Sequence, residues 1–267
     1  MSETLNELKA GFKNGKNVKF SSQIKGYVLN LVCVLLTENT SEQGLYDLTT
    51  IEDFTKSLDE IFLIENETFL HTFPFLGFAP GLKFKALHEN LTNSAHNLHE
   101  AFFYAVKATI KPGLQRGFID DLLNAQHELD QEGCPQLFED EAVKAMIQNV
   151  VVGAYLTTLS TVETLFLHLL HRQDIQDRIF QEIVDVIGES PPRLHHRPSM
   201  PFTESVILET LCLSALAPFY VPHRIREDVL FDEYVIPKGT GTVLQMNSWF
   251  NLHLEKRWID PWTFHPS

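Results

Sequence analysis

Positive charge is scarce in this chain and nowhere clustered. The 21 Lys and Arg residues face 35 Asp and Glu, a formal net charge of -14, so a polyanion such as DNA is repelled rather than steered in. No nucleic-acid partner is expected. Cysteine is scarce too: Cys33, Cys134 and Cys212 are an odd number at wide spacing with no CxxC, which argues against a disulfide framework and for a reducing, cytosol-facing setting. No signal-like segment follows Met1. The most apolar early run, Tyr27 to Leu36, is about half of the ~20 residues a bilayer crossing needs and contains Asn30, so it reads as a buried helix rather than an anchor. Glycine-rich phosphate loops and Gly-x-Ser-x-Gly are absent. With 267 residues and 44% hydrophobic content, one large domain over 1–267 is the simplest expectation.

Helical periodicity dominates as far as about residue 215, with no fixed-period repeat. The first ~20 residues are polar and rich in Lys and Gly; Ile24, Val28, Leu31 and Leu35 then mark one helical face, and Ile51 to Ile64 a second amphipathic segment. Thr68 to Lys83, with Phe73-Pro74-Phe75-Leu76-Gly77-Phe78-Ala79-Pro80-Gly81 inside it, is expected to be a packed loop or a greasy surface, because Pro removes donors and Gly lowers helix preference. Helices are expected over Leu87–Ile110, closed by Lys111-Pro112-Gly113, and over Gly117–Glu128, with a loop from Asp130 to Phe138. Glu139 to Arg172 is the longest proline-free pattern, about 50 Å long as one helix. Its many polar groups favour a helix through the centre of a protein over a membrane span.

Asp174 is the expected cap of the next amphipathic helix, with Ile175, Ile179, Ile183 and Ile187 on one face and Gly188 as the stop. Pro201 suits the first turn of a helix running through Leu216, ended by Pro218. Short β-prone runs follow: Tyr220-Val221, Val229-Leu230-Phe231, Tyr234-Val235-Ile236 and Thr242-Val243-Leu244. The fold class is therefore mainly α, with a long central helix and a small β-sheet near the C-terminus.

Several segments in order carry a family resemblance. They are Phe118-Ile119-Asp120-Asp121-Leu122-Leu123, Gln176 to Ile183, Arg197 to Ile207 leading to Glu209, Val221-Pro222-His223-Arg224, Tyr234-Val235-Ile236-Pro237-Lys238-Gly239-Thr240, and Trp258-Ile259-Asp260-Pro261 with Phe264-His265-Pro266. Their collinearity resembles a cytochrome P450 of the microsomal, steroid- and drug-metabolising branch. The resemblance implies an incomplete P450 fold, one partial domain over 1–267, and haem as cofactor. It implies Thr157 as the catalytic hydroxyl, His223, Arg224 and Ala154 as cofactor contacts (His223 the stronger of the propionate pair), and Glu209 as a structural carboxylate.

Three departures from the family pattern bear on activity. Gly153-Ala154-Tyr155-Leu156-Thr157-Thr158 keeps the hydroxyl of the oxygen-handling pair, but Leu156 stands where the acid is usual and relays no proton. Read without the resemblance, these threonines satisfy helix carbonyls in a core helix. Glu209-Thr210-Leu211-Cys212 replaces Glu-x-x-Arg, so Glu209 needs Arg224, Arg226 or Arg257, or must hold its proton. Stripping a buried ion pair of one partner costs ~3–5 kcal/mol. Finally, the sequence stops at Ser267, before the glycine-bounded cysteine loop that supplies a P450 iron with its thiolate, and no Trp-x-x-x-Arg helix precedes. Cys33 and Cys212 lie in helical patterns and Cys134 stands among acidic residues.

The parental activity implied is O2- and NADPH-dependent hydroxylation of a lipophilic substrate at the cytosolic face of the endoplasmic reticulum membrane, with electrons from NADPH-cytochrome P450 reductase. The Phe73–Phe78 loop and the Ala154/Thr157 face would be its apolar contacts. The chain itself is expected to be inactive, and without an anchor to sit in the cytoplasm. The competing reading is a non-catalytic helical binding protein, or a fragment of a mis-predicted gene. No metal site is expected; His96/His99 and His168/His171 pair on helix faces but lack a third ligand.

Overall fold

The structure is a computed structural model that describes residues 20–38, 48–111, 113–134, 138–239 and 243–266, apart from the side chains of 64, 67 and 71. The polar stretch 1–19 and Pro112, Pro135, Thr240, Thr242 and Ser267 lie outside the described residues. The chain divides into two compact units after Leu159.

The first unit is helical. Helix α1 (Phe20–Thr37) buries Val28, Leu29, Val32, Cys33 and Leu36, the spacing of one helical stripe. α1 and the long helix α6 below are the two helices long and apolar enough, by length and composition, to cross a bilayer. Since α1 supplies so much of a core cluster, the expectation of a buried helix at Tyr27–Leu36 holds. Helices α2 (Thr49–Phe62) and α3 (Ile64–Thr72) follow, then a 3₁₀ turn at Pro74–Gly77. The irregular stretch expected from Thr68 is thus confined to Phe73–Leu82, because Thr68–Thr72 completes α3 before the first proline. Phe75 and Phe78 stand out into solvent, 65% and 70% exposed.

Helix α4 (Lys83–Leu98) packs on α2 and passes through a π-helical turn, His99–Tyr104, into a last turn at Ala105–Lys107. It buries Leu98, Phe102, Phe103 and Val106. Helix α5 (Phe118–Gln131) lies against α1 and begins at Gly117, whose missing side chain lets the two backbones meet. Asp120 in its first turn is 1% exposed and takes three hydrogen bonds from Arg116: the backbone N at 2.8 Å, Nε at 2.8 Å and Nη2 at 2.9 Å.

Helix α6 (Asp140–Leu169, 30 residues) is the long helix of the sequence reading. It is not buried all round. Val143, Ile147, Val151 and Tyr155, four residues apart, form its buried stripe, while Met146, Phe166 and Leu167 are exposed. A single packed face, rather than a position enclosed on every side, explains why so apolar a helix still tolerates its run of threonines and serine.

The second unit holds the end of α6, α7 (Gln173–Val186) and α8 (Pro201–Ser214), around a small core of Ile175, Val206 and Phe264. Asp174 is not the cap of α7; it lies inside the first turn, and the cap position is Arg172, which clamps Asp174 through Nε at 3.0 Å and Nη2 at 2.9 Å. Gly188 (φ 61°) closes α7 as expected, its N–H donating to Ile183 O at 3.1 Å. Glu182 of α7 caps α8, accepting from Phe202 N (2.9 Å), Thr203 N (2.7 Å) and Thr203 Oγ1 (2.6 Å). Helix α8 stops at Ala215 in a left-handed conformation (φ 37°), earlier than Pro218.

The β segments form two antiparallel pairs. β1 (His223–Arg224) pairs with β4 (Val243–Leu244), and β2 (Val229–Phe231) with β3 (Tyr234–Ile236). Tyr220-Val221 is not a strand: the neighbouring contact is one bridge, Phe219 to Asn247, leading into α9 (Ser248–Leu252).

Candidate functional site

Thr157 and Ala154 sit one turn apart on α6, off its buried stripe, with Ala154 half-buried and Thr157 exposed. The Thr157 hydroxyl donates to Gly153 O at 2.6 Å, the back-bond that residue-level reading gives a threonine inside a helix. A side chain added at Gly153 would meet nothing within 4 Å, so this face is open within its unit. Leu156 packs against the core and offers no proton.

His223 and Arg224 are both exposed on β1, in register with Leu244 and Val243. Neighbours along a strand point to opposite faces. One face therefore carries the imidazole and the other the guanidinium, and a ligand lying on one side meets only one of them.

Glu209 makes no ion pair among the described residues. Its Oε1 accepts the backbone N–H of His265 at 3.1 Å, and Arg257 instead donates to Asn251 Oδ1 at 3.1 Å. The segment it holds is gripped from the end of α6 as well: His168 stacks on Phe264 (ring centroids 4.6 Å apart, 9° between planes), and Arg172 Nη1 donates to Phe264 O at 2.7 Å. Burial pushes the His168 pKa below its ordinary value, and the charge of Glu209 offsets this only partly. Beside Glu209 lies a cavity of about 560 Å³ lined by Cys212, Leu213, Trp258, Ile259 and His265 among others. Burial, and then Glu209, raises the Cys212 thiol pKa.

The donor set can be tested against a haem. Cys33 is buried in α1, hydrogen-bonded toward Thr37, and its thiol pKa is raised by burial; Cys212 is raised likewise. A ligating thiolate needs the opposite environment. These helical cysteines do not fit the iron, although a cation on β1 suits a carboxylate. Among the described residues no group of three His, Cys, Asp or Glu side chains is arranged to hold a metal ion.

The helical frame with its two β ladders has solved counterparts. A zebrafish cytochrome P450 with progesterone superposes with a TM-score of 0.74 at 22% identity, covering 94% of this chain and 55% of that one, and a second with abiraterone gives 0.71 at 23%. The cytochrome P450 family model matches residues 1–267, and the chain belongs to that family. It is 26% identical to the steroid 17-alpha-hydroxylase/17,20 lyase of Oryzias latipes over 98% of its length. It is 32% identical to the farnesoate epoxidase of Bombyx mori over 74% of its length. The chain spans about half the length of the first relative, 51%. The family implies haem as cofactor.

Sequence reasoning passed over His168, Arg172 and Glu182. Arg172 directly before the α7 sequence was the one visible signal, since a cation at a helix C-terminus has carbonyls within reach.

Proposed function

We propose that the chain is part of a haem-thiolate monooxygenase domain that hydroxylates a lipophilic substrate, using O2 and electrons drawn from NADPH by a flavoprotein reductase at the cytosolic face of the endoplasmic reticulum. The observation that carries the reading is the family match along all of residues 1–267. The names of two relatives, a steroid hydroxylase and a farnesoate epoxidase, support an apolar substrate. Haem, when bound, supplies the oxygen chemistry, and no step through its iron follows from the cysteines described.

The chain's own residues contribute a positioned hydroxyl and an apolar wall. Thr157 holds its proton on Gly153 O and can release it by rotation about χ1, with water rather than Leu156 as the next relay. Ala154 one turn earlier leaves room for a flat ligand, and His223 or Arg224 offers a charge for a carboxylate. In a chimera where this chain replaces the matching half of a whole-length steroid hydroxylase, Thr157→Ala lowers product formation by about a hundredfold while NADPH oxidation continues. Unchanged product per NADPH would remove Thr157 from this role.

We further propose that residues 1–267 alone do not form the thiolate-ligated centre, because Cys33 and Cys212 are locked in helices as thiols. Haem titration of the purified chain, followed by a ferrous carbon monoxide difference spectrum, is expected to show no thiolate character. A stoichiometric thiolate-type spectrum overturns that part of the reading.

A further inference from the structure

Three elements converge on two consecutive residues of the second unit, Phe264 and His265. The end of α6 places an imidazole flat against the Phe264 ring, at 4.6 Å and 9°. Arg172, just beyond α6, donates Nη1 to Phe264 O at 2.7 Å, and Glu209 of α8 accepts the next amide, His265 N, at 3.1 Å. Arg172 is itself held: Nε and Nη2 engage the two oxygens of Asp174 at 3.0 Å and 2.9 Å, leaving Nη1 aimed at the carbonyl. That is the fork geometry only a guanidinium offers. Phe264 is buried, and its ring joins Ile175 and Val206 in the unit's core.

On the opposite side of this segment the fold is under-filled. Cys212 is a short side chain one helical turn after Glu209, and the cavity of about 560 Å³ opens beside both. No cation pairs with Glu209 among the described residues. The carboxylate therefore fixes the segment through one amide, and the guanidinium that anchors the neighbouring carbonyl comes from α6 rather than from α8.

We infer that Arg172 is a positioning residue for the Phe264–His265 segment, doing from the end of α6 the work that an arginine at position 212 would do from α8. The comparison with position 212 rests on the monooxygenase reading; the grip on Phe264 does not. His168 and Asp174 complete the latch, the first by stacking on Phe264 and the second by orienting the guanidinium.

The test is amide hydrogen exchange in the 267-residue chain, without haem, so that failure of the monooxygenase reading leaves the outcome interpretable. Arg172→Ala is expected to speed exchange at His265 by about tenfold, the scale of one lost charge-assisted hydrogen bond, with helix content unchanged by circular dichroism. Arg172→Lys is expected to fall between, since one ammonium cannot serve Asp174 and Phe264 O together. Adding Cys212→Arg to Arg172→Ala places a guanidinium in the cavity and returns His265 protection toward the parent. Should Arg172→Ala fail to fold, Asp174→Asn frees the guanidinium more gently and loosens the same amide. Parent-like protection of His265 in Arg172→Ala, or in Asp174→Asn, overturns the latch. A double variant as loose as Arg172→Ala overturns the equivalence with position 212.

Discussion

Asp120→Asn is expected to destabilise the first unit by about 3 kcal/mol at neutral pH, the low end of the cost of breaking a buried ion pair. The low end applies because Arg116 keeps 28% of its side chain in water while Asp120 keeps 1%. An asparagine presents one acceptor where the carboxylate presents two, and its amide nitrogen then faces a donor of Arg116. Arg116 is also tied by Nη1 to the Thr109 hydroxyl at 3.0 Å, so the damage extends to the connection leading into α5. Burial alone would push the Asp120 carboxyl up; the hydrogen bonds and charge of Arg116 more than offset it and hold it below the usual carboxylate range. The stability from this depressed carboxyl is present above its unfolded pKa of about 3.9 and is lost as pH falls through the folded value. Urea midpoints for parent and variant should thus differ widely at pH 7 and converge as the solution is acidified below that point. Equal midpoints at pH 7 would show that the Arg116–Asp120 contact contributes nothing.

Gly117→Ala is expected to cost about 2 kcal/mol, as overpacking into fixed structure. A Cβ there would lie 2.7 Å from Leu36 O and 2.8 Å from Thr37 N, both backbone atoms that no rotamer change can move aside. Backbone strain is not involved, since φ at Gly117 is 179°, an extended value open to any residue. The cost comes from parting α1 and α5. Gly153→Ala is the matched control: its Cβ meets nothing within 4 Å, and alanine in a helix interior gains about 0.5–1 kcal/mol over glycine. Thermal midpoints that move the same way for both substitutions would reject the close-approach argument.

Gly117 and Asp120 also show where reading the sequence reaches its limit. Both fall within or beside the segment Phe118–Leu123 that carries the family resemblance, yet their contacts are with Leu36 and with Arg116 outside the motif. Elements with a strong local cause were legible: α6 from its proline-free periodicity, the end of α7 from Gly188, the start of α8 from Pro201. Those set by tertiary contact were not. Asp174 looked like a cap, and the structure instead pairs it with Arg172, because a preceding guanidinium competes for its oxygens. Helix α8 ends at Ala215 rather than nearer Pro218, a left-handed residue with no glycine to announce it. At the candidate site, Thr157 on its helix face was readable from spacing. The partner of Glu209 was not, since a backbone amide 56 positions away leaves no mark in composition or period.

The π turn at His99–Tyr104 carries a consequence for the whole of the helix that contains it. A π turn holds one residue more than an α turn, so everything beyond it is rotated by about 100° relative to an unbroken helix. That offset is what allows Leu98, Phe102, Phe103 and Val106 all to be buried and still brings Lys107 Nζ to both Asp140 oxygens at 2.6 Å. The helix behaves as two rods joined by a phase coupling: one is indexed to α2, the other to the start of α6. A change of one residue in its length can be absorbed at that coupling, with neither rod losing its own register.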